Sequence, residues 1–242
     1  MYKRQEYISA DQIDKINFNN EIDWKTTDHF FRITHQKYNQ IDEGATRLSS
    51  GLILYTNETN IDRSQITANH KWNMKDDFSI EQTIRNANYV RHYKVNNSDG
   101  SVSTKDKTEE NNTEYELLFN RSFNNTIYNG GVEFSKPEYK SDRITGGGQK
   151  KDVVGIFNQV AWNVSSDMNI VSGLRFDTYG DTTVFSPRLA LSYKDNDTWV
   201  YRLAYGHGFR APSFMESLID WQHLQFGYTV QGNPNLKPEV SK

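Results

Sequence analysis

From Val153 onward, apolar and polar residues alternate with period two. Val154, Ile156, Val160, Trp162 and Val164 share one face, and after Ser165-Ser166-Asp167 the series Met168, Ile170, Leu174 and Phe176 resumes the pattern. Leu189, Leu191 and Tyr193 follow, then a turn at Asp195-Asn196-Asp197, then Trp199, Tyr201, Leu203 and Tyr205. The opposite faces carry Gly, Ser, Asn, Gln and Arg. Upstream the rhythm is weaker but persists: Ile16, Phe18, Ile22 and Trp24; a stretch from His29 to Asn39; Ile66, Ala68, His70 and Trp72; Phe78, Ile80 and Ile84; Tyr115, Leu117 and Phe119; Tyr128, Val132 and Phe134. These runs predict ten strands, with an eleventh beginning near Leu236.

The connections are expected to sort into two kinds. Short ones fall at Lys25 to Asp28, Met74 to Asp77, Asn124 to Thr126, Ser165 to Asp167 and Asp195 to Asp197. Between them lie polar stretches read as long loops, namely Ile41 to Asp62, Asn96 to Asn112, and Pro137 to Lys151, with only Tyr179 to Thr183 short. Alternating short and long connections are the mark of an up-and-down barrel in an outer membrane, with tight turns on one side and larger loops on the other. Trp24, Trp72, Trp162 and Trp199 all lie near short turns, while Trp221 falls in a long connection. Tryptophan gathers at a membrane interface because its ring is apolar and its N–H seeks a partner, so four of these side chains are expected to form one girdle.

Composition agrees. Hydrophobic residues make up only 35% of the chain, yet aromatics reach 13%. A disordered chain would be polar but poor in aromatics, whereas a sheet with one apolar and one wet face is both polar and aromatic-rich. The 28 basic and 31 acidic residues are dispersed, and without a basic block nucleic acid is not expected as a partner. The absence of Cys removes disulfides and thiolate metal sites. No apolar run approaches the roughly 20 residues of a membrane helix, so a membrane protein must be built from strands. Met1 to Gln5 lacks the apolar stretch of an export signal, and the chain is expected to be cut short at its front.

Enzyme chemistry finds no support. Zinc-protease, phosphate-loop and nucleophile-elbow patterns are absent, and the six histidines show no paired-ligand spacing. Asn97-Ser98-Asp99-Gly100 faintly suggests a calcium loop, but Val95 occupies the first ligand position. Asp195 and Asp197 flank an Asn in a hairpin and read as turn formers. No cofactor is expected.

The last quarter carries the distinctive motifs. Ser186-Pro187-Arg188-Leu189-Ala190-Leu191-Ser192-Tyr193 leads through a turn into Tyr201-Arg202-Leu203-Ala204-Tyr205-Gly206-His207-Gly208-Phe209-Arg210-Ala211-Pro212-Ser213; Gly232-Asn233-Pro234-Asn235-Leu236-Lys237-Pro238-Glu239 follows. With the upstream Gly173-Leu174-Arg175-Phe176-Asp177, this closely resembles TonB-dependent outer-membrane receptors, which carry a Phe-Arg-Ala-Pro box and an Asn-Pro-Asn/Asp-Leu box flanking one extracellular loop. The resemblance is specific from about Val153 to Lys242. It implies that residues 1–242 are part of an all-β, antiparallel transmembrane barrel, about half of one with about 22 strands, in the outer membrane of a Gram-negative bacterium. It further implies a signal peptide, a plug domain and final strands outside this chain, and a TonB partner reached through an N-terminal segment likewise outside it. The implied activity is uptake of an iron–siderophore complex, haem or cobalamin; the alternatives are a haem or haemoprotein receptor and a passive porin or adhesin-type barrel.

Within that frame, period two sends Arg175, Arg188 and Arg202 to the lumen as a basic stripe, where wall salt bridges with residues such as Asp177 are the expected role of each. Phe209 to Pro212 and Asn233 to Leu236 are expected to close strand ends and turns, since Pro lacks the N–H that a ladder requires. Trp221, His223, Phe226 and Tyr228, in the loop between the boxes, are the candidate ligand-binding residues. His223 is a candidate metal ligand only if the cargo is haem, because the resemblance to haem-importing members places a His in this interval.

Overall fold

A computed structural model describes residues 12–75, 77–196, 198–223 and 227–241, with the side chain of His223 outside the described set. The main sheet contains, in chain order, β1 (Gln12–Lys25), β2 (His29–Arg47), β3 (Ile53–Lys75), β4 (Phe78–Asn97), β5 (Val102–Phe123) and β6 (Thr126–Ser141). A short β7 (Gly148–Lys150) pairs back on β6, and β8 (Val153–Asn163), β9 (Met168–Tyr179), β10 (Thr182–Asp195) and β11 (Trp199–Gly206) complete the sheet. Every pairing is antiparallel, and each long strand lies beside its predecessor. Beyond the sheet come β12 (Gly208–Arg210), helix α1 (Phe214–Leu218), β13 (Asp220–His223), β14 (Tyr228–Gln231) and β15 (Glu239–Ser241). The ten predicted strands are all present; the eleventh begins at Glu239 and pairs with β12.

The long connections are where sequence and structure part. Ile41 to Asp62 is mostly strand, with only residues 48–52 left to turn, and β4 reaches Asn97 before β5 starts at Val102. Pro137 to Lys151 contains the end of β6 and β7. The period-two signal requires one wet and one apolar face. Where both faces are wet that contrast disappears, although the hydrogen-bond ladder continues. A tilted strand of about 9–11 residues crosses the hydrocarbon, whereas β3 has 23 residues and β5 has 22. The strands therefore continue well past any membrane before they turn. The Asn97 to Gly100 segment is the β4–β5 turn, where Ser101 N–H donates to Asp99 Oδ1 at 2.9 Å and Gly100 has φ 83°. At the opposite end, Asn124 (φ 49°) and Asn196 (φ 58°) take up the left-handed conformation that tight hairpins require; Asp197 lies outside the described residues.

Directly paired residues share a face, so the register sorts the side chains. Leu174, Phe176, Leu189, Leu191, Tyr201 and Leu203 fall on one face, and Arg175, Arg188 and Arg202 on the other. The first face is apolar and uncovered: Leu203 is 71% exposed and Ile16 70%. Such a belt is stable only against lipid. Trp24 opposite Phe31, Trp72 opposite His29, Trp162 opposite Thr126 and Trp199 opposite Asp195 all stand on this face near the short-turn end. Aromatic contacts run across it, with Phe31 stacked on His70 at 4.1 Å and His29 Nδ1 lying 3.1 Å from His70 Nε2. One row of partners runs Trp24, Phe31, His70, Gln82, Leu117, Val132, Ile156, Phe176, Phe185. It begins beside a turn at one end of the sheet and finishes near the other end, so the strands are steeply staggered, as barrel walls are.

Among the described residues, the buried apolar cluster lies off the belt. It consists of Tyr139, Ile144 and Phe214, with Met215 and Leu218 packed against it.

The two faces differ in what they tolerate. In the complete protein folded in lipid, Leu189→Arg is expected to cost about 2–4 kcal/mol, and Ala190→Arg, one residue further on, less than about 1 kcal/mol. Urea titration followed by heat-modifiable gel migration measures both; equal costs would reverse the assignment of the faces.

Candidate functional site

The two motif boxes meet. Phe209 pairs with Val240 and Arg210 with Glu239 in the short β12–β15 ladder, so the start and end of the intervening loop are joined by main-chain hydrogen bonds. Arg210 adds two forks. Its Nη1 and Nη2 donate to Glu216 at 3.1 and 3.0 Å, and its Nε and Nη2 donate to Glu239 at 3.1 and 3.0 Å. Planar guanidinium suits bidentate carboxylate pairing, and one side chain thereby ties both ends of the loop to α1. Ser213 caps α1 through a capping box with Glu216: Glu216 N–H donates to Ser213 Oγ at 3.1 Å, and Ser213 N–H to Glu216 Oε2 at 2.8 Å. Arg210, with Ser213 adding to it, holds the Glu216 carboxyl at about 2, and Arg210 likewise lowers Glu239.

The second box closes the other side. Gly232 N–H reaches Ile219 O at 2.6 Å and Asn233 N–H reaches Glu216 O at 3.0 Å, satisfying carbonyls at the exit of α1. A Cβ at Gly232 would stand 2.6 Å from Ser217 C and 2.7 Å from Leu218 N, so only glycine permits this approach. Asn233 Oδ1 then accepts from Asn235 N–H at 3.0 Å, and Leu236 N–H donates to Asn233 O, turning the chain back past Pro234.

The closed loop leans onto the polar face of the extended strands. Phe214 stacks on Tyr139 at 5.8 Å, Tyr179 Oη donates to Pro212 O at 3.1 Å, and Lys151 lies over the rings of Tyr179 and Phe214. Ile144 and Ile219 form a single bridge. Beyond it, Arg143 sits between the Tyr93 ring at 5.4 Å and the Trp221 ring at 4.4 Å and donates to buried Asp106, which also accepts from Arg91 at 2.8 Å. Burial raises the Tyr93 and Tyr139 hydroxyls above the usual phenol range.

Of the candidate loop residues, Trp221 is thus held against the wall. Tyr228 stands exposed in β14 opposite the His223 backbone; the His223 side chain and Phe226 lie outside the described residues. In the basic row, Arg175 donates to Glu133 and, at 2.7 Å, to buried Asp177. The guanidinium lies over Gly155, where a Cβ would come within 2.6 Å of Nη2. Arg188, opposite Gly173 and Gly206, and Arg202, opposite Ser192, share that face and are exposed.

One arrangement escaped the sequence reading. Tyr38, Arg63, Tyr89 and Glu110 form a cross-strand row on the polar face, beside an open recess of about 610 Å³ lined also by Gln36, Gln65 and Asn112. Arg63 lies 5.8 and 5.2 Å from the two tyrosine rings, and among the described residues no carboxylate comes within ion-pair distance of it. Burial pushes the Glu110 carboxyl up, with Arg63 opposing. Only pairing across four strands brings these residues together, and no local spacing announces it.

Comparisons with known proteins agree with this geometry. The family model described as TonB dependent receptor-like, beta-barrel, matches residues 4–242. The iron-regulated outer membrane virulence protein of Vibrio cholerae is 33% identical over 88 residues, which are 35% of this chain and 13% of that protein. Among solved structures, the siderophore receptor PirA from Pseudomonas aeruginosa superposes with TM-score 0.72 at 15% identity, over 94% of this chain and 41% of its own. A double mutant of the Serratia marcescens hemophore receptor HasR, in complex with its hemophore HasA and heme, gives 0.76 at 14% identity, over 93% and 40%. At these identities the superpositions show shared fold. The chain spans about two-fifths of the length of those receptors.

The Arg210 forks have a pH signature. Because the Glu216 carboxyl is lowered in the folded loop, its contribution is complete above about 4.5 and disappears as pH falls through about 2. Pepsin cleavage around Phe214 to Leu218 should therefore, after correction for pepsin's own pH dependence, rise progressively as pH falls from about 4.5 towards about 2; cleavage that does not change across that interval would show that the forks do not hold. Gly232→Ala should open the same segment to protease at neutral pH with the barrel's heat-modifiable migration unchanged, and an equally protected loop would remove the close approach as a constraint.

Proposed function

Because this chain belongs to the β-barrel family of TonB-dependent receptors, which are transporters and not enzymes, we propose that it supplies wall and extracellular roof to an active importer of an iron–siderophore complex or a similar scarce ligand. The fold and family place it in the outer membrane of a Gram-negative bacterium. In this reading the polar face lines the lumen, the Trp-bearing turns face the periplasm, and the loop between the motif boxes lies outside. TonB and the plug act through segments beyond this chain. A passive porin has no use for a loop tied at both ends by Arg210.

The observation that carries the ligand assignment is Arg63. Its guanidinium lies between the Tyr38 and Tyr89 rings with no carboxylate within ion-pair distance among the described residues, in a recess lined also by Gln36, Gln65, Asn112, Lys37 and Glu110. A fixed, partly desolvated cation beside aromatic faces suits an anionic, oxygen-rich, planar ligand. Arg188 and Arg202 extend the positive wall, whereas Arg175 is committed to Glu133 and Asp177. In this reading the loop segment that carries Trp221 and Tyr228 is the roof over this path, with His223 and Phe226 as further candidates from the sequence. A haem cargo would instead draw on His223 as axial ligand, with one face of Trp221 already taken by Arg143.

In the complete receptor in detergent, Arg63→Ala is expected to weaken binding of the preferred ferric siderophore by about 10- to 100-fold, the loss of one charge-assisted interaction of about 1.5–3 kcal/mol. Fluorescence titration over a panel of catecholate, hydroxamate and carboxylate complexes reads this. Unchanged affinity across the panel would exclude the recess. Haemin titrated in parallel, with a visible band altered by His223→Ala and insensitive to Arg63→Ala, would favour the haem reading.

A further inference from the structure

Two histidines that stand 41 residues apart in the chain meet on the outer wall. β2 and β3 pair so that His29 faces Trp72 and Phe31 faces His70, with all four side chains on the apolar face. His29 and His70 are therefore diagonal neighbours across the ladder. His29 Nδ1 lies 3.1 Å from His70 Nε2, and the two rings are within 19° of one plane.

The surroundings hold both rings. Phe31 stacks on His70 at 4.1 Å with 3° between the planes, Trp72 lies against His29 at 5.5 Å and 20°, and Trp24 follows at 5.1 Å from Phe31. Each imidazole thus rests on an aromatic face, so its orientation is set before any ligand arrives. The pair also stands on the belt that meets the bilayer, near the short-turn end, where an ionisable side chain is costly and marks function. A hydrogen bond between the rings satisfies one nitrogen of each. That bond does not account for two histidines at a place where apolar residues would serve.

The spacing suits a shared ion. Two nitrogens held at about 2.0–2.1 Å by one tetrahedral ion stand about 3.3 Å apart, and the facing nitrogens are already at 3.1 Å. A neutral imidazole carries one lone-pair nitrogen. With the protons on the far atoms, His29 Nε2 and His70 Nδ1, both facing nitrogens are ligands, and a swing of the rings turns them from each other onto the ion. Imidazole suits ions of the zinc and copper group, whereas magnesium and calcium take oxygen ligands. Among the described residues no third His, Asp or Glu completes a cluster, so water fills the remaining positions and the ion is exchangeable. We propose that His29 and His70 bind a divalent ion of the zinc and copper group on the outer wall, clamping β2 to β3 beside their short turns. The site lies on the face opposite the polar one and is separate from the Arg63 recess.

The test uses the complete receptor in detergent, without a histidine tag and freed of metal by chelation. Each histidine is followed by mass spectrometry during modification with diethyl pyrocarbonate, with and without Zn²⁺. Saturating Zn²⁺ should slow modification of His29 and His70 at least about tenfold, leave His35 on the same strand and face unchanged, and be without effect when Mg²⁺ replaces it. Removing one ligand should expose the other: in His70→Gln the Zn²⁺ needed to protect His29 should rise at least about tenfold, and in His29→Gln the same should hold for His70. Heat-modifiable migration checks that both variants are folded, and the arm on the unmutated receptor does not depend on them. Equal modification with and without Zn²⁺ would reduce the pair to a hydrogen bond and overturn the site. Equal protection by Mg²⁺, equal protection of His35, or undiminished protection of the remaining histidine in both variants would overturn it as well.

Discussion

Inside a bilayer no water is available to a peptide N–H or C=O, and everything in this chain is arranged around that constraint. A strand can enter hydrocarbon only if neighbours on both sides complete its hydrogen bonds. The result is an unbroken ladder from β1 to β11 in which each strand lies beside its predecessor. With the backbone consumed by pairing, the side chains divide by parity alone, into an apolar set that meets lipid and a polar set that does not. Arg175 shows how strict the division is, because its charge survives beside the bilayer only by lying over Gly155 and bonding Glu133 and Asp177.

Outside the bilayer the same strands behave like an ordinary soluble protein. Water covers both faces, the apolar belt ends, and packing moves to the place where the loop folds onto the wall. There Tyr139, Ile144 and Phe214 make the small core that the sheet itself lacks. The motif boxes are the closure of that loop: Arg210, Glu216 and Glu239 on one side, Gly232 and Asn233 on the other. They hold still the part of the molecule that presents Trp221 and Tyr228.

Legibility in the sequence followed the lipid. Where one face meets hydrocarbon, as at Leu189, Leu191 and Tyr193, composition alternates and the strand can be read directly. Where both faces are wet, as from Val102 to Glu114, nothing forces alternation, and a strand resembles a polar loop. Register is legible wherever a tight turn fixes it, and the pairing puts Arg175, Arg188 and Arg202 on one face. The Tyr38–Arg63–Tyr89 row and the Arg91–Asp106–Arg143 cluster were not legible, since each depends on how far neighbouring strands overshoot before turning. The motif boxes could be found but not explained: no spacing indicates that Arg210 and Glu239, far apart in the chain, are cross-strand partners.

The staggered row from Trp24 to Phe185 has a mechanical meaning. Because paired residues climb from one rim toward the other, strands are inclined to the barrel axis, and an axial pull on the wall slides each strand along its neighbour. Sliding loads all the hydrogen bonds of a ladder together, whereas peeling from an edge breaks them one at a time. A wall built this way resists force along the direction in which cargo travels.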